Sequence, residues 1–179
     1  TTKGYTPSVF SLLPKLLERT GTSKSGSITA FYTVLVDGDD FNEPIADTAR
    51  GILDGHFVLD RELAGKGQFP AINLLKSVSR VMVDLVSKEH REAADRFRDL
   101  LSTYRDSEDL IHIGAYKHGS SRQIDEAIAA RNDMIHYLSQ DMGEKSTMKD
   151  SIRKLIDQFH PNASARKKAP PLNQSRSST

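Results

Sequence analysis

Cysteine is absent from the 179 residues, which removes disulfides and thiolate metal sites and favours a cytosolic home. No run approaches the roughly 20 apolar residues that a membrane-spanning helix needs. The opening Thr1-Thr2-Lys3-Gly4 has none of the apolar stretch of a secretory signal peptide. The marks of a self-contained active site are missing as well. There is no G-x-x-x-x-G-K-[ST] phosphate cradle; Gly21 to Gly26 (GTSKSG) has the wrong spacing and sits directly before a strand. His56, His90, His112, His118, His136 and His160 form no H-E-x-x-H or comparable ligand pair, so they read as ordinary surface or core residues. No serine stands in a G-x-S-x-G elbow, and no internal repeat is visible.

What is there reads as a globular chain. Hydrophobic residues make up 37% and charged residues 27%, close to globular averages, so a disordered whole is excluded. The length allows one full core, or one core plus a small appendage. The formal charge of +1 hides an asymmetry. Residues 145–179 hold eight Lys/Arg against Asp150 and Asp157, or +6, which leaves −5 on the remainder. A basic tail on an acidic body suits a lipid surface or an acidic protein, or else is a solvated terminus.

Along the chain, Thr6-Pro7 reads as an N-cap and first helical residue, giving a helix over 7–20 that Pro14 should kink. Ser27 to Val36 (SITAFYTVLV) is the clearest strand and is apolar on both faces, as in a sheet covered by helices. Asp37-Gly38-Asp39-Asp40 lacks the ligand spacing of a calcium loop and reads as a turn. Pro44 opens a second helix to about Asp54, Gly55 ends it, and 56–59 form a short strand. After Arg80 only helices are expected. Ala93, Ala94, Phe97, Leu100, Leu101 and Tyr104 make 88–104 amphipathic, with Glu92 and Arg96 as an i,i+4 pair. Further helices are expected at 108–113, 121–130 and 132–140. Met148, Ile152, Leu155, Ile156 and Phe159 form another stripe, closed by Pro161. Residues 162–179 are too polar to fold.

Four blocks and two shorter runs carry a resemblance. Pro70-Ala71-Ile72-Asn73-Leu74-Leu75-Lys76-Ser77-Val78-Ser79-Arg80 resembles the ATP synthase α/β family motif P-A-[IV]-[DN]-x-x-x-S-x-S-R. Gly4 to Phe10 (GYTPSVF), Gly26 to Leu35 and Asp47 to Leu59 (DTARGILDGHFVL) resemble the flagellar and type III secretion branch of that family. Gly114-Ala115-Tyr116-Lys117 and Asp125-Glu126-Ala127-Ile128 look like its C-terminal helical domain.

The resemblance implies an α/β edge of a RecA-like nucleotide-binding domain, with a mixed or parallel sheet, followed by an all-α C-terminal domain. It implies boundaries at 1–83, 84–160 and a disordered basic tail at 161–179. In this family the phosphate-binding loop, the catalytic Glu and the magnesium-site Asp lie upstream of the Gly-Tyr-x-Pro-Ser block. A chain opening on that block is expected not to hydrolyse ATP alone, although its parent would, with ATP and Mg²⁺. Arg80 is implied to be an arginine finger reaching a neighbouring subunit's nucleotide; its planar, permanently charged fork suits the equatorial oxygens of a transferring phosphoryl group. Phe69 stands where the family places an aromatic on the adenine ring. Tyr137 resembles a second adenine contact, and Tyr5 a tyrosine facing the catalytic site. Asn73 replaces the Asp more usual in the export branch.

The parent is accordingly expected to be a cytoplasmic homohexamer at the inner face of the cell membrane. Its expected partners are a stator-like regulator, a coiled-coil stalk, the export gate and chaperone–substrate complexes, with a membrane contact through the basic tail and no nucleic acid. Two rival readings stand beside it. One is a non-catalytic helical interaction module; the other is a subunit of an F- or V-type rotary ATPase, against which the wording of Gly26–Leu35 and Gly114–Lys117 stands.

Overall fold

The computed structural model describes residues 4, 6–36, 38, 40 and 43–163. It divides into two compact units. The first holds the described residues up to His56 together with Val78–Val81; the second holds Phe57–Ser77 together with the described residues from Met82 onward.

In the first unit, α1 (Pro7–Leu17) starts on Pro7, whose missing N–H is one that no helix start satisfies internally. Thr6 is extended at the N-cap position, but its hydroxyl lies 2.8 Å from the Ser8 hydroxyl instead of capping an amide. Pro14 sits inside the helix as read. α2 (Pro44–Ile52) packs against α1, and Leu17, Ala46 and Ala49 are buried. Between them, β1 (Gly21–Ser23) and β2 (Gly26–Ile28) form an antiparallel hairpin. The strand expected over Ser27–Val36 is therefore present only at its start. Residues 29–36 have no regular structure, and Phe31 and Leu35 are 87% and 89% exposed. The cause is hydrogen bonding: a strand exists only beside another strand, and the register with β1 ends at Gly21 opposite Ile28. β3 (Gly55–His56) pairs antiparallel with β4 (Val78–Ser79). Both ladders among the described residues are thus antiparallel pairs.

The second unit is mainly helical. α3 (Arg61–Gly65) is capped by Asp60, whose carboxylate accepts from the Glu62 amide, and α4 (Met82–Leu85) is a single turn. Three long helices follow: α5 (Lys88–His112), α6 (Arg122–Leu138) and α7 (Met148–Phe159). Each starts on a hydroxyl residue, Ser87, Ser121 or Thr147, that accepts from the backbone N–H three residues on. α5 is one helix where the sequence suggested two. Nothing at 105–107 breaks it, Arg105 pairs with Glu108 at 2.9 Å, and Ser107 continues the buried face of Ala93, Phe97, Leu100 and Tyr104. α6 likewise runs unbroken through Arg131, because neither Gly nor Pro interrupts it. α5 ends at Gly114, which takes the left-handed φ of +71° that closes such helices.

α5 packs on both α6 and α7. Their core holds Phe97, Met134, Ala127, Leu155 and Phe159. The expected Glu92–Arg96 pair is replaced by other partners. Arg96 pairs with Glu126 on α6, while Glu92 forms an i,i+4 ion pair with Lys88 at 3.6 Å and contacts the buried His160 at 3.1 Å.

Candidate functional site

The motif segment 70–77 is fixed by a polar clasp inside the second unit. Ser77 is buried; its hydroxyl accepts from the Val58 amide at 3.0 Å and donates to the Asn73 carbonyl at 2.6 Å. The Asn73 backbone N–H donates to the Val58 carbonyl at 2.8 Å. The Asn73 side-chain amide donates to Asp60 Oδ2 at 2.8 Å, and Lys76 Nζ reaches the same oxygen at 3.2 Å. The Asn73 hydrogen bond, with help from the Glu62 amide and Lys76, holds the Asp60 carboxyl below its ordinary range against the opposing effect of burial. This accounts for Asn73. An Asp at that position would set two carboxylates face to face, whereas the amide supplies the donor that Asp60 needs.

Arg80 lies in the first unit, directly after β4, and its side chain is exposed. Its backbone N–H donates to the Asp54 carbonyl at 2.8 Å. Its guanidinium donates from Nη2 to the Arg50 carbonyl at 3.0 Å and from Nη1 to the Gly51 carbonyl at 3.2 Å. Both carbonyls belong to the last turn of α2, where unpaired C=O groups and the helix dipole favour a cation. A guanidinium has five N–H donors, so this docking holds the fork while leaving donors over for an anion.

Phe69 is 56% exposed, and its carbonyl accepts from the Gln140 amide at 2.8 Å, just past the end of α6. The structure thus brings the Phe69 loop beside the C-terminal end of the helix that carries Tyr137. Tyr137 itself is half-buried. Its ring packs against Phe97 and Phe159, with centroids 5.5 and 6.1 Å away, and its hydroxyl donates to the Ser151 carbonyl at 3.1 Å. Burial raises the pKa of that hydroxyl. Tyr5 lies outside the described residues. The sequence reading missed the clasp around Ser77 and the dock on α2; a polar pair thirteen residues apart and a helix-end carbonyl leave no spacing signature.

Among the described residues no group of three or more His, Asp or Glu stands close enough to hold a metal ion. The described side chains thus form no metal cage of their own. A cleft of about 380 Å³ in the second unit borders the clasp, lined by Asp60, Asn73 and Lys76, with Arg131 stacked 5.4 Å over the Tyr104 ring on its wall. Neither Phe69 nor Tyr137 lines it.

Part of a nucleotide-binding α/β domain followed along the chain by a helical domain is the class this architecture defines. The family model for the ATP synthase alpha/beta family, nucleotide-binding domain, matches residues 1–79, and that for the T3SS EscN ATPase C-terminal domain matches residues 86–157. The two models match adjacent stretches of the chain, which is similar along both to flagellar and type III secretion ATPases. It is 66% identical over 155 residues to the flagellum-specific ATP synthase of Bacillus subtilis (strain 168), covering 87% of this chain and 35% of that protein. It is 51% identical over 152 residues to the type 3 secretion system ATPase of Sinorhizobium fredii, covering 85% of this chain and 34% of that one. The assembled ATPase EscN of the enteropathogenic E. coli type III secretion system has the same fold, with a TM-score of 0.85 at 45% identity, over 89% of this chain and 39% of EscN. EscN is also known in complex with its central stalk EscO (TM-score 0.79, 44% identity, 89% and 38% coverage). The chain thus spans about a third of the length of the curated relatives it matches.

Proposed function

We propose that these residues are the C-terminal part of the ATPase that energises flagellar or type III protein export. In this reading 1–83 complete a nucleotide-binding domain, 84–160 form the helical domain and 161–179 a basic tail. Arg80 serves as the arginine finger of a homohexameric ring, stabilising phosphoryl-transfer charge on ATP held by the adjacent subunit. Phe69 is the exposed platform for adenine, and Tyr137 adds the unburied part of its ring. Tyr5 faces the same nucleotide. The observation that carries the proposal is Arg80 itself, an exposed guanidinium held at two points by a helix end and terminating the family motif.

The cofactors of the parent are ATP and Mg²⁺. The sequence holds no phosphate-binding loop, and among the described residues no group of three or more His, Asp or Glu could hold a metal. What this chain supplies is charge and orientation at the far side of a shared site. The EscN–EscO complex supports a stalk partner. A stator-like regulator, an export gate and chaperone–substrate complexes are the further partners proposed. The proposed location is the cytoplasm, at the inner membrane face with the basic tail against lipid; no described helix is long and apolar enough to cross a membrane.

The test is Arg80→Ala in the complete ATPase. Nucleotide affinity is expected to stay near wild type while kcat falls by roughly 10³–10⁵, the range such fingers supply. A near-normal kcat contradicts the assignment.

A further inference from the structure

We infer that Gly55 is a positioning residue for Arg80 and that, with the last turn of α2, it forms the cradle that sets where the guanidinium sits. The inference rests on reading Arg80 as the finger. The hydrogen bonds that Arg80 donates fall on a five-residue stretch just before Gly55: the carbonyls of Arg50, Gly51 and Asp54 at 3.0, 3.2 and 2.8 Å. Gly55 pairs with Ser79, the residue immediately before Arg80. A turn of helix, a two-residue strand and the finger are therefore one closed unit of backbone.

Space in that unit is limiting at one point. A Cβ on Gly55 would stand 2.7 Å from the Val78 carbonyl oxygen and 3.3 Å from Ser79 Cα. The other ten of the eleven glycines have nothing within 4 Å of such a Cβ. Gly55 is not in the left-handed region, so what it provides is room, and the atoms it makes room for are backbone. A flexible side chain can swing away from a clash; a paired strand cannot. Any side chain at 55 must push β4 back by several tenths of an ångström, and the next residue in β4's path is Arg80. A shift of that size pulls the fork off two carbonyls already at 3.0 and 3.2 Å. Misplacement of a reacting group by about 1 Å costs on the order of 10²-fold in rate.

The test uses the complete ATPase in four forms: Gly55→Ala, Arg80→Ala, the double variant, and Gly65→Ala as a control whose added methyl meets open space. Gly55→Ala is expected to lower kcat by roughly 3- to 10-fold with the KM for ATP within about twofold, and the control to leave both unchanged. In the Arg80→Ala background Gly55→Ala is expected to lower kcat no further, although its effect on Tm persists. That loss of effect separates positioning from a merely structural role. An equal drop in kcat in both backgrounds, or none in either, overturns the cradle. If Arg80→Ala alone keeps kcat, the finger reading fails and takes the cradle with it. Should Gly55→Ala not assemble, Arg80→Lys keeps the charge but cannot span both carbonyls. It is expected to lose kcat nearly as far as Arg80→Ala, and a kcat within about threefold of wild type overturns the proposal.

Discussion

The three long helices of the second unit are each capped by a Ser or Thr hydroxyl and share a core around Phe97 and Met134. In the first unit neither α1 nor α2 has a side-chain cap, and only Leu17, Ala46 and Ala49 are buried in them. Its most apolar stretch, around Phe31 and Leu35, is exposed. The difference follows from where each element finds its hydrogen bonds. A helix satisfies its backbone internally, so an amphipathic helix needs only an apolar neighbour to be stable. A strand must borrow its partners from another strand, and the short β1 is what the first unit offers to residues 26–28. Stability therefore belongs chiefly to the second unit, while the residue with the strongest chemical expectation, Arg80, belongs to the first.

Paired substitutions in the two units sharpen that contrast. Phe97→Ala removes a ring that is 2% exposed and packed edge-on to Phe159 at 4.6 Å. It is expected to destabilise the helical unit by about 3–5 kcal/mol in urea unfolding of the complete protein followed by helical circular dichroism. The matched Phe31→Ala in the first unit is expected to change the same transition by less than about 0.5 kcal/mol. Equal effects would break the comparison.

A middle-sized effect is expected at Ser77. Ser77→Ala leaves the Val58 N–H without its acceptor and removes a donor from the Asn73 carbonyl. About 1–3 kcal/mol of stability should be lost, with faster hydrogen exchange at the Val58 amide as the local signature.

The smallest effect is the pH dependence of Asp60, whose pKa is lowered in the folded state. Its contribution is complete above the ordinary unfolded carboxyl pKa of about 3.9 and is lost as pH falls through the still lower folded value. Asp60→Asn should therefore lower stability near neutrality and flatten part of the acid limb of the stability–pH curve, the two proteins converging as pH falls through the folded value. An unchanged acid limb would show that the clasp does not need the charge.

Much of the second unit was legible in the sequence because helical periodicity is a local property. The stripes at Ala93–Tyr104 and Met148–Phe159 mark α5 and α7, but not the joins within α5 and α6, nor α3; the strand expected over 56–59 shrinks to its first residue in β3 (Gly55–His56). The strand over Ser27–Val36 was overextended for the opposite reason: its apolar pattern is local, but its ladder partner is not. At the candidate site, the motif ending in Arg80 was visible through resemblance, yet the α2 carbonyls that hold it were not, since no spacing rule links residue 80 to residues 50 and 51. Asn73 looked like a departure from pattern until Asp60 was found opposite it. Tyr137 was read for its likeness to an adenine contact, and its ring partners Phe97 and Phe159 emerge only from the packing of three helices.

The central claim is that Arg80 acts on a nucleotide that another subunit holds, and mixed rings test it most directly. Arg80→Ala subunits are combined with subunits whose own phosphate-binding loop has been disabled, each preparation being inactive alone. In rings shown by native mass spectrometry to contain both, ATP turnover is expected to reappear, because some intact guanidinium then faces an intact loop. Turnover no higher than that of either parent at every mixing ratio would contradict the account.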